Sequence, residues 1–568
     1  MKKFLFSAGV LALSLAMVTA KLVKADDDDQ RSYDFGGEFH GFQPGNLVLS
    51  RSVYVNNPNF VQVGEILPPG CATTSVGCPT PDMATFDGNY PYVFNNDAVD
   101  GSFGVTSPLF LDQLTPFGWR IDTLRVPTDQ LVTSFSSKSE GALNLSTDKK
   151  YLTFIDYVAK VGTVDASNGN TPGVVDPTNP VGGAFYRAVA RVGREGHFDF
   201  TETNAYSGNN GRAAIYNKDA DVYYTVGNAG NGNNPQPAGI LLGAGMQIMT
   251  PANKPESKQN PGAPTPVASF NVTEIPGNKA DKLGKDDNFR GLTIFDNVIY
   301  ATKGSGSNGI DTVYFVDTTG TACPKGAGVP VAGATLPTTP LTVPPTSTLL
   351  STGLPSNMCV LAGFNTVLAK TSTQPFPFGL WFADANTLYV ADEGNGNIGT
   401  LSSSNAYADA SSQTTAGLQK WTYNSTTKTW NLQYVLNAGL GLGEPYTVPG
   451  YPTGTNPDST NKLFPNGLPW SPATDGLRNI TGRVNWDGTV TIWAITSTIS
   501  GNGDQGADPN RLVMITDNLS STGPNAPTDE SFRTLRTAQY AEVFRGISFT
   551  PGTGADDDRH GNDDRHGD

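Results

Sequence analysis

Apolar residues fall in short bursts along this chain, and a polar turn and a second burst follow each one. The segments "EGALNLSTDKKYLTFIDY" (140–157), "GRAAIYNKDADVYYTVG" (211–227), "RGLTIFDNVIYATKG" (290–304), "FGLWFADANTLYVADEG" (378–394) and "GRVNWDGTVTIWAITS" (482–497) share this form. Their turns, "STDKK", "NKDAD", "FDN", "ADAN" and "NWDGT", put Asp, Asn and Gly between apolar runs, which is hairpin chemistry. Further strand-like runs fill the intervals: "FYRAVARVG", "DTVYFVDTTG", "LQKWTYNSTTKTWNLQYVLN" and "RLVMITDNL". No long stretch has the helical period. Hairpin units of about four strands, repeated radially, predict an all-β fold, a β-propeller. A solenoid would repeat at a shorter and more regular period.

The end of the chain sharpens this reading. "VFRGISFTPG" (543–552) matches the innermost strand of a unit but has no partners after it. The missing strands stand at the other end, in "NLVLSRSVYV" (46–55), "PLFLDQLTP" (108–116) and "WRIDTLRVP" (119–127). The last strand is therefore expected to complete the first blade, which closes the ring and removes its sheet edges. Counting this composite blade gives a six-bladed propeller, or a seven-bladed one if a long insertion hides a blade. The insertions read as 56–107, 228–268, 320–376 and 440–475, rich in Gly, Pro, Asn and Thr. They are either decoration or a rim over one face.

Composition agrees with many short strands and turns: 64 Gly, 41 Pro and 10% aromatics in 568 residues. The net charge of −15 argues against nucleic acid as a partner. The start, "MKKFLFSAGVLALSLAMVTAKLVKA", has Lys2 and Lys3 before an apolar run and reads as a secretory signal peptide over 1–25, cut after Ala20 or Ala25. The apolar run is short for a span, which takes about 20 residues. The expected organisation is then an acidic segment at 26–45, the propeller at 46–552 and a disordered acidic tail at 553–568. An exported chain belongs in the extracellular space or the periplasm, with no membrane span left after cleavage. Its four cysteines fit an oxidising compartment, with local pairing Cys71–Cys78 and Cys323–Cys359 the simplest of three connectivities.

Candidate chemistry is sparse. His40 and His197 are the only histidines outside the tail, and no nucleophile motif accompanies them. One constellation recurs: Arg212, Arg290, Arg478 and Arg545 stand just before the inner strand in four blades, where Glu140 and Phe378 stand in the other two. Inner-strand ends line the central channel, so these arginines are candidates for binding a small anion; the competing role is to cap strand carbonyls.

At "FGLWFADANTLYVADEGNGNI" the chain resembles the superfamily of six-bladed propellers that includes NHL-repeat and SMP-30/gluconolactonase-like proteins. It is also similar to large secreted propellers of uncharacterised function. The resemblance implies a divalent metal such as Ca2+ in the channel, held by Glu, Asn and Asp. Glu140 is the acidic residue placed for that role, and no asparagine set matches the pattern. Two functions follow as expectations. The first is an exported binding module for a small anion, a glycan or another extracellular protein. The alternative is a metal-dependent hydrolase of lactonase or phosphoesterase type. A quinoprotein oxidoreductase would need tryptophan-docking repeats that the chain lacks.

Overall fold

The computed structural model describes residues 38–55, 104–174, 183–228, 245–252, 266–275, 288–304, 309–339, 356–371, 375–451, 453–455, 468–501 and 506–554, single positions aside. The signal-like start, Cys71, Cys78 and both acidic runs lie outside the described residues. The architecture is a six-bladed β-propeller with almost no helix. Blade 1 runs from its inner strand Glu542–Phe549 through Leu47–Val53 and Leu109–Leu114 to Arg120–Arg125. Blade 2 runs Asn144–Leu145, Tyr151–Tyr157, Arg187–Gly193, Phe198–Thr203, and blade 3 runs Gly211–Asn217, Val222–Gly227, Met246–Met249, Pro266–Val272. Blade 4 is Leu292–Phe295, Val298–Lys303, Thr312–Val316 and Ser356–Leu361. Blade 5 is Pro377–Asp384, Thr387–Asp392, Gly417–Asn424, Thr429–Leu436, and blade 6 is Ala473–Val484, Thr489–Ile499, Arg511–Asn518, Arg533–Thr537.

Turn chemistry explains the hairpins. In blade 4, Asp296 and Asn297 both have positive φ, 46° and 58°, between the paired Phe295 and Val298. That is the two-residue turn whose twist matches its strands, and Asp and Asn tolerate it where most residues do not. Alternation then puts apolar side chains on both faces of each blade, because each is sandwiched between neighbours. Leu47, Leu49, Phe544 and Ile547 of blade 1 pack on Trp493, Ile495 and Leu512 of blade 6. A second cluster joins Leu109, Leu111 and Val48 to Leu152, Phe154 and Ala190 of blade 2.

The closing strand behaves as its sequence predicts. It pairs antiparallel with Leu47–Val53, from Leu47 opposite Phe549 to Val53 opposite Glu542. Phe549 meets Trp493 edge to face at 5.4 Å.

The insertion boundaries need correction. Residues 228–268 are not only a loop: they hold Met246–Met249, the third strand of blade 3, and the start of its fourth. Likewise 320–376 holds Ser356–Leu361, the outer strand of blade 4. A four-residue run such as "MQIM" is too short to show a period, so its pairing with Tyr223–Val226 defines it. The outer strands of blades 3 and 4 also pair in parallel, joining the two blades at the rim. Cys323 and Cys359 form a disulfide that ties the loop after the third strand of blade 4 to its outer strand.

Between blades 5 and 6 lies a buried ion pair. Lys420 Nζ sits 2.8 Å from Asp517 Oδ2, and neither side chain has any exposed surface. The Tyr434 hydroxyl donates to Asp517 Oδ1 at 2.7 Å, and Lys420 also donates to the Asn518 carbonyl at 2.7 Å. With its hydrogen bonds satisfied, such a pair is tolerated inside, and losing one partner strands a charge.

Truncation tests the closure. Removing residues 543–568 exposes the faces that Phe544, Ile547 and Phe549 cover, each worth about 1.5–3 kcal/mol. Thermal melting should drop sharply for this variant and stay unchanged when only 555–568 are removed. Equal melting of the two would contradict the composite blade.

Candidate functional site at the propeller axis

The inner strands carry one extra residue each at the same height in four blades. In blade 3, Gly211 pairs with Gly227 and Ala213 with Val226, so Arg212 has no partner. In blade 1, Gly546 opposes Ser50 and Phe544 opposes Arg51, which leaves Arg545 over. Blade 6 slips by one between Leu477 and Ile480, around Arg478, and blade 5 between Pro377 and Leu380, around Phe378. These are β-bulges, which re-aim a side chain out of the ladder. Arg212, Arg478 and Arg545 therefore lie within their inner strands, and only Arg290 precedes its strand. The sequence places all four before the strand, because a bulged residue breaks the alternation that marks a strand from its first position.

The polar residues form a chain from blade 2 to blade 6. Glu140 Oε1 accepts from the Tyr157 hydroxyl and, at 2.8 Å, from the Asn210 amide. Asn210 Oδ1 accepts from Arg212 at 3.0 Å. Arg212 also donates to the Phe289 carbonyl at 3.0 Å and to the Asn288 side chain. Arg290 and Arg478 both face Glu393, at 4.0 Å and 3.4 Å. The Arg290 guanidinium lies over the Phe378 ring at 5.8 Å. Asn288 is half-buried, and the other side chains named here are at least nine-tenths buried.

Arg545 stands apart. Its guanidinium donates to the carbonyls of Ser134, Phe135 and Ser137, and its Nε to Ser52 Oγ at 3.0 Å. It stitches the inner strand of blade 1 to the segment that leads into blade 2. Three of the four arginines thus share one neighbourhood around Glu393, while Arg545 belongs with Glu140 and Asp156.

Burial controls the charges here. It pushes Arg212 well below the ordinary guanidinium range, and Arg290 nearby adds to that shift. Arg478 is lowered by burial, with Glu393 opposing. Burial raises Asp392 to about 6 and Asp475 to about 7. Both anchor the loop after the second strand of blade 5, Asp392 accepting from the Gly394 amide at 3.0 Å and Asp475 from the Gly396 amide at 2.8 Å. Asp156 is raised well above the usual carboxylate range, first by burial and then by Glu140.

Glu393, Asn210 and Asp475 are absent from the sequence-derived candidates. The signal for Glu393 lies in the aligned second strands "VIYATKG" and "LYVADEG". They put Lys303 and Glu393 next to the following glycine, at the end of the blade where the bulges sit. His40 and His197 are both exposed, His197 in a turn before the outer strand of blade 2.

The donor set does not suit a divalent cation at Glu140. One oxygen already accepts two protein hydrogen bonds, and the charges of Arg187 and Arg212 reach it. The neighbouring carboxylate, Asp156, faces Arg545 and is held towards its neutral form. Calcium needs six to eight oxygen ligands. No group of three or more His, Cys, Asp and Glu able to hold a metal occurs among the described residues.

No family model matches the chain, and no curated protein matches it. Among solved structures it is similar to a protein from Lactobacillus plantarum, determined in a structural-genomics programme. The two share 10% identity at a TM-score of 0.30, over 89% of this chain and 99% of the other. A likeness at that score carries no argument, and the fold rests on the strand pairing described above.

A pH series tests the buried acids. An acid whose folded pKa is raised binds its proton more tightly folded than unfolded, so its stabilising contribution is full below about pH 4 and is lost as pH rises through the folded value. With Asp392 at about 6, Asp475 at about 7 and Asp156 shifted the same way, melting temperature should fall as pH rises from about 4 to about 7. Asp156→Asn mimics the neutral acid, whose surroundings among the described residues are the Thr133 side chain, Glu140 and Arg545. This variant should melt at or above the parent at the higher pH, with a shallower pH dependence. A lower melting point at every pH would show that the charged form is needed.

Proposed function

We propose that this chain is an exported binding module and that its axial arginine cluster takes a small carboxylate or phosphate. One observation carries the reading. Arg290 and Arg478, from different blades, face a single carboxylate, Glu393, with Arg212 beside them. The direct ion pairs of Arg290 and Arg478 both go to Glu393, while Glu140, Asp311 and Asp475 act on the cluster from further off, so an entering anion would meet guanidiniums that share one close carboxylate. A fixed fork geometry favours planar acceptors such as carboxylate and phosphate. The signal-like start and the cysteine pairing support export. A propeller suits an interaction role, because rigid blades hold groups from distant parts of the sequence in fixed positions at one end. The hydrolase alternative has no comparable support, since the carboxylates near the axis are engaged by protein donors or adjoin guanidiniums.

Calorimetric titration of the mature protein with citrate and inorganic phosphate tests this. Binding should be measurable at low salt and weaken as salt is added. Arg290→Ala should weaken it at least tenfold, about 1.4 kcal/mol. Arg290→Lys keeps the charge but loses the fork, and should recover only part of the affinity. Absence of anion binding by the parent, or unchanged binding in Arg290→Ala, would overturn the reading and leave the arginines as interblade braces.

A further inference from the structure

A cavity of about 380 Å3 opens at the opposite end of blades 4 and 5 from the arginines. The Asp296–Asn297 turn lies at its mouth, its walls are Tyr300, Phe382, Tyr423 and Trp430, and residues 329–334 line one side. The volume lies in the range of small-molecule sites, roughly 300–1,000 Å3. Aromatic packing fixes the walls. Phe382 stacks on Phe295 at 4.6 Å, meets Tyr300 at 4.7 Å and Trp430 at 5.8 Å. The covering segment is also anchored, since it leaves the short strand Ala327–Gly328, paired to the outer strand of blade 4, inside the loop that the Cys323–Cys359 disulfide closes.

The polar groups of this cavity are unengaged. Tyr300 and Trp430 are each 5% exposed, yet neither the phenol nor the indole N–H bonds to a protein group among the described residues. Both residues line the cavity. Asp296 and Asn297 are exposed at the mouth, and their side chains likewise have no hydrogen-bond partner among the described residues. Burial and the Asp296 carboxylate raise the Tyr300 phenol, which keeps its proton available for donation.

We infer that this cavity binds a short neutral saccharide. A saccharide offers hydroxyls that both donate and accept, and flat C–H faces that lie against aromatic rings. The cavity supplies matching partners: a donor-only indole, phenols, an amide, a carboxylate and aromatic walls. An anionic ligand would meet Asp296. A quaternary ammonium would gain from the rings but leave the indole N–H without an acceptor. A purely apolar ligand would bury the phenol and the indole unpaired, which is costly.

The test uses the full mature protein and a panel of neutral cello-, malto-, xylo- and chito-oligosaccharides. Calorimetry and intrinsic tryptophan fluorescence read binding, with tetramethylammonium chloride as the competing chemistry. At least one saccharide should bind and change the fluorescence. Tyr300→Phe removes one hydroxyl and Asp296→Asn alters an exposed turn that Asn tolerates. Each should weaken binding at least fivefold with melting unchanged. Arg290→Ala should leave saccharide binding intact, which separates this site from the axial cluster. Three results would overturn the inference: no saccharide bound, tetramethylammonium bound in their place, or full affinity in both cavity variants.

Discussion

Adjacent inner strands of this propeller touch backbone to backbone near the axis, and the rest of the molecule depends on that contact. A Cβ on Gly291 would stand 2.0 Å from the Phe378 carbonyl oxygen, and one on Gly379 would stand 2.4 Å from the Arg478 carbonyl. Gly546 makes the same approach to Gly141, at 2.5 Å. No side chain fits at these three places, so glycine follows the axial residue in "RGLTI", "FGLWF" and "RGISF". The strands can then close a ring tight enough to bury Arg290, Phe378 and Arg545 beside these glycines.

Tight closure concentrates charge. Bulges turn Arg212, Arg478 and Arg545 out of their ladders into a region with little water, and burial alone would expel them. They stay because a neighbouring segment brings each a partner: Asn210 and the Phe289 carbonyl for Arg212, Glu393 for Arg478, and three carbonyls of residues 134–137 for Arg545. The same need for partners explains Lys420 and Asp517 between blades 5 and 6, which two tyrosines complete. Polar groups thus fix the angular order of the blades, while apolar surface between them supplies most of the cohesion.

The two ends of the propeller differ in kind. At the bulged end, cationic side chains answer one another and internal acids through short contacts. At the turn end of blades 4 and 5, aromatic side chains frame a cavity in which the Tyr300 phenol and the Trp430 indole have no hydrogen-bond partner among the described residues. Both arise from one rigid sheet framework, and each is assembled from residues far apart in sequence. Trp430 and Asp296, or Arg212 and Glu393, become neighbours only once the ring is closed.

How much was legible beforehand follows from the range of each interaction. Hairpins such as "FDNV" are set by residues next to one another, so alternation and turn chemistry in the sequence determined the blades, and the lone strand 543–552 determined how the ring closes. Met246–Met249 and Ser356–Leu361 were not legible, because short strands inside Gly- and Pro-rich segments are defined by the neighbours they pair with. The recurrence of Arg212, Arg290, Arg478 and Arg545 could be read along the chain. Their division into a cluster around Glu393 and a brace at Arg545 could not. Which carbonyls and carboxylates a guanidinium meets depends on contacts between blades, and only the tertiary structure sets the distance from one blade to the next.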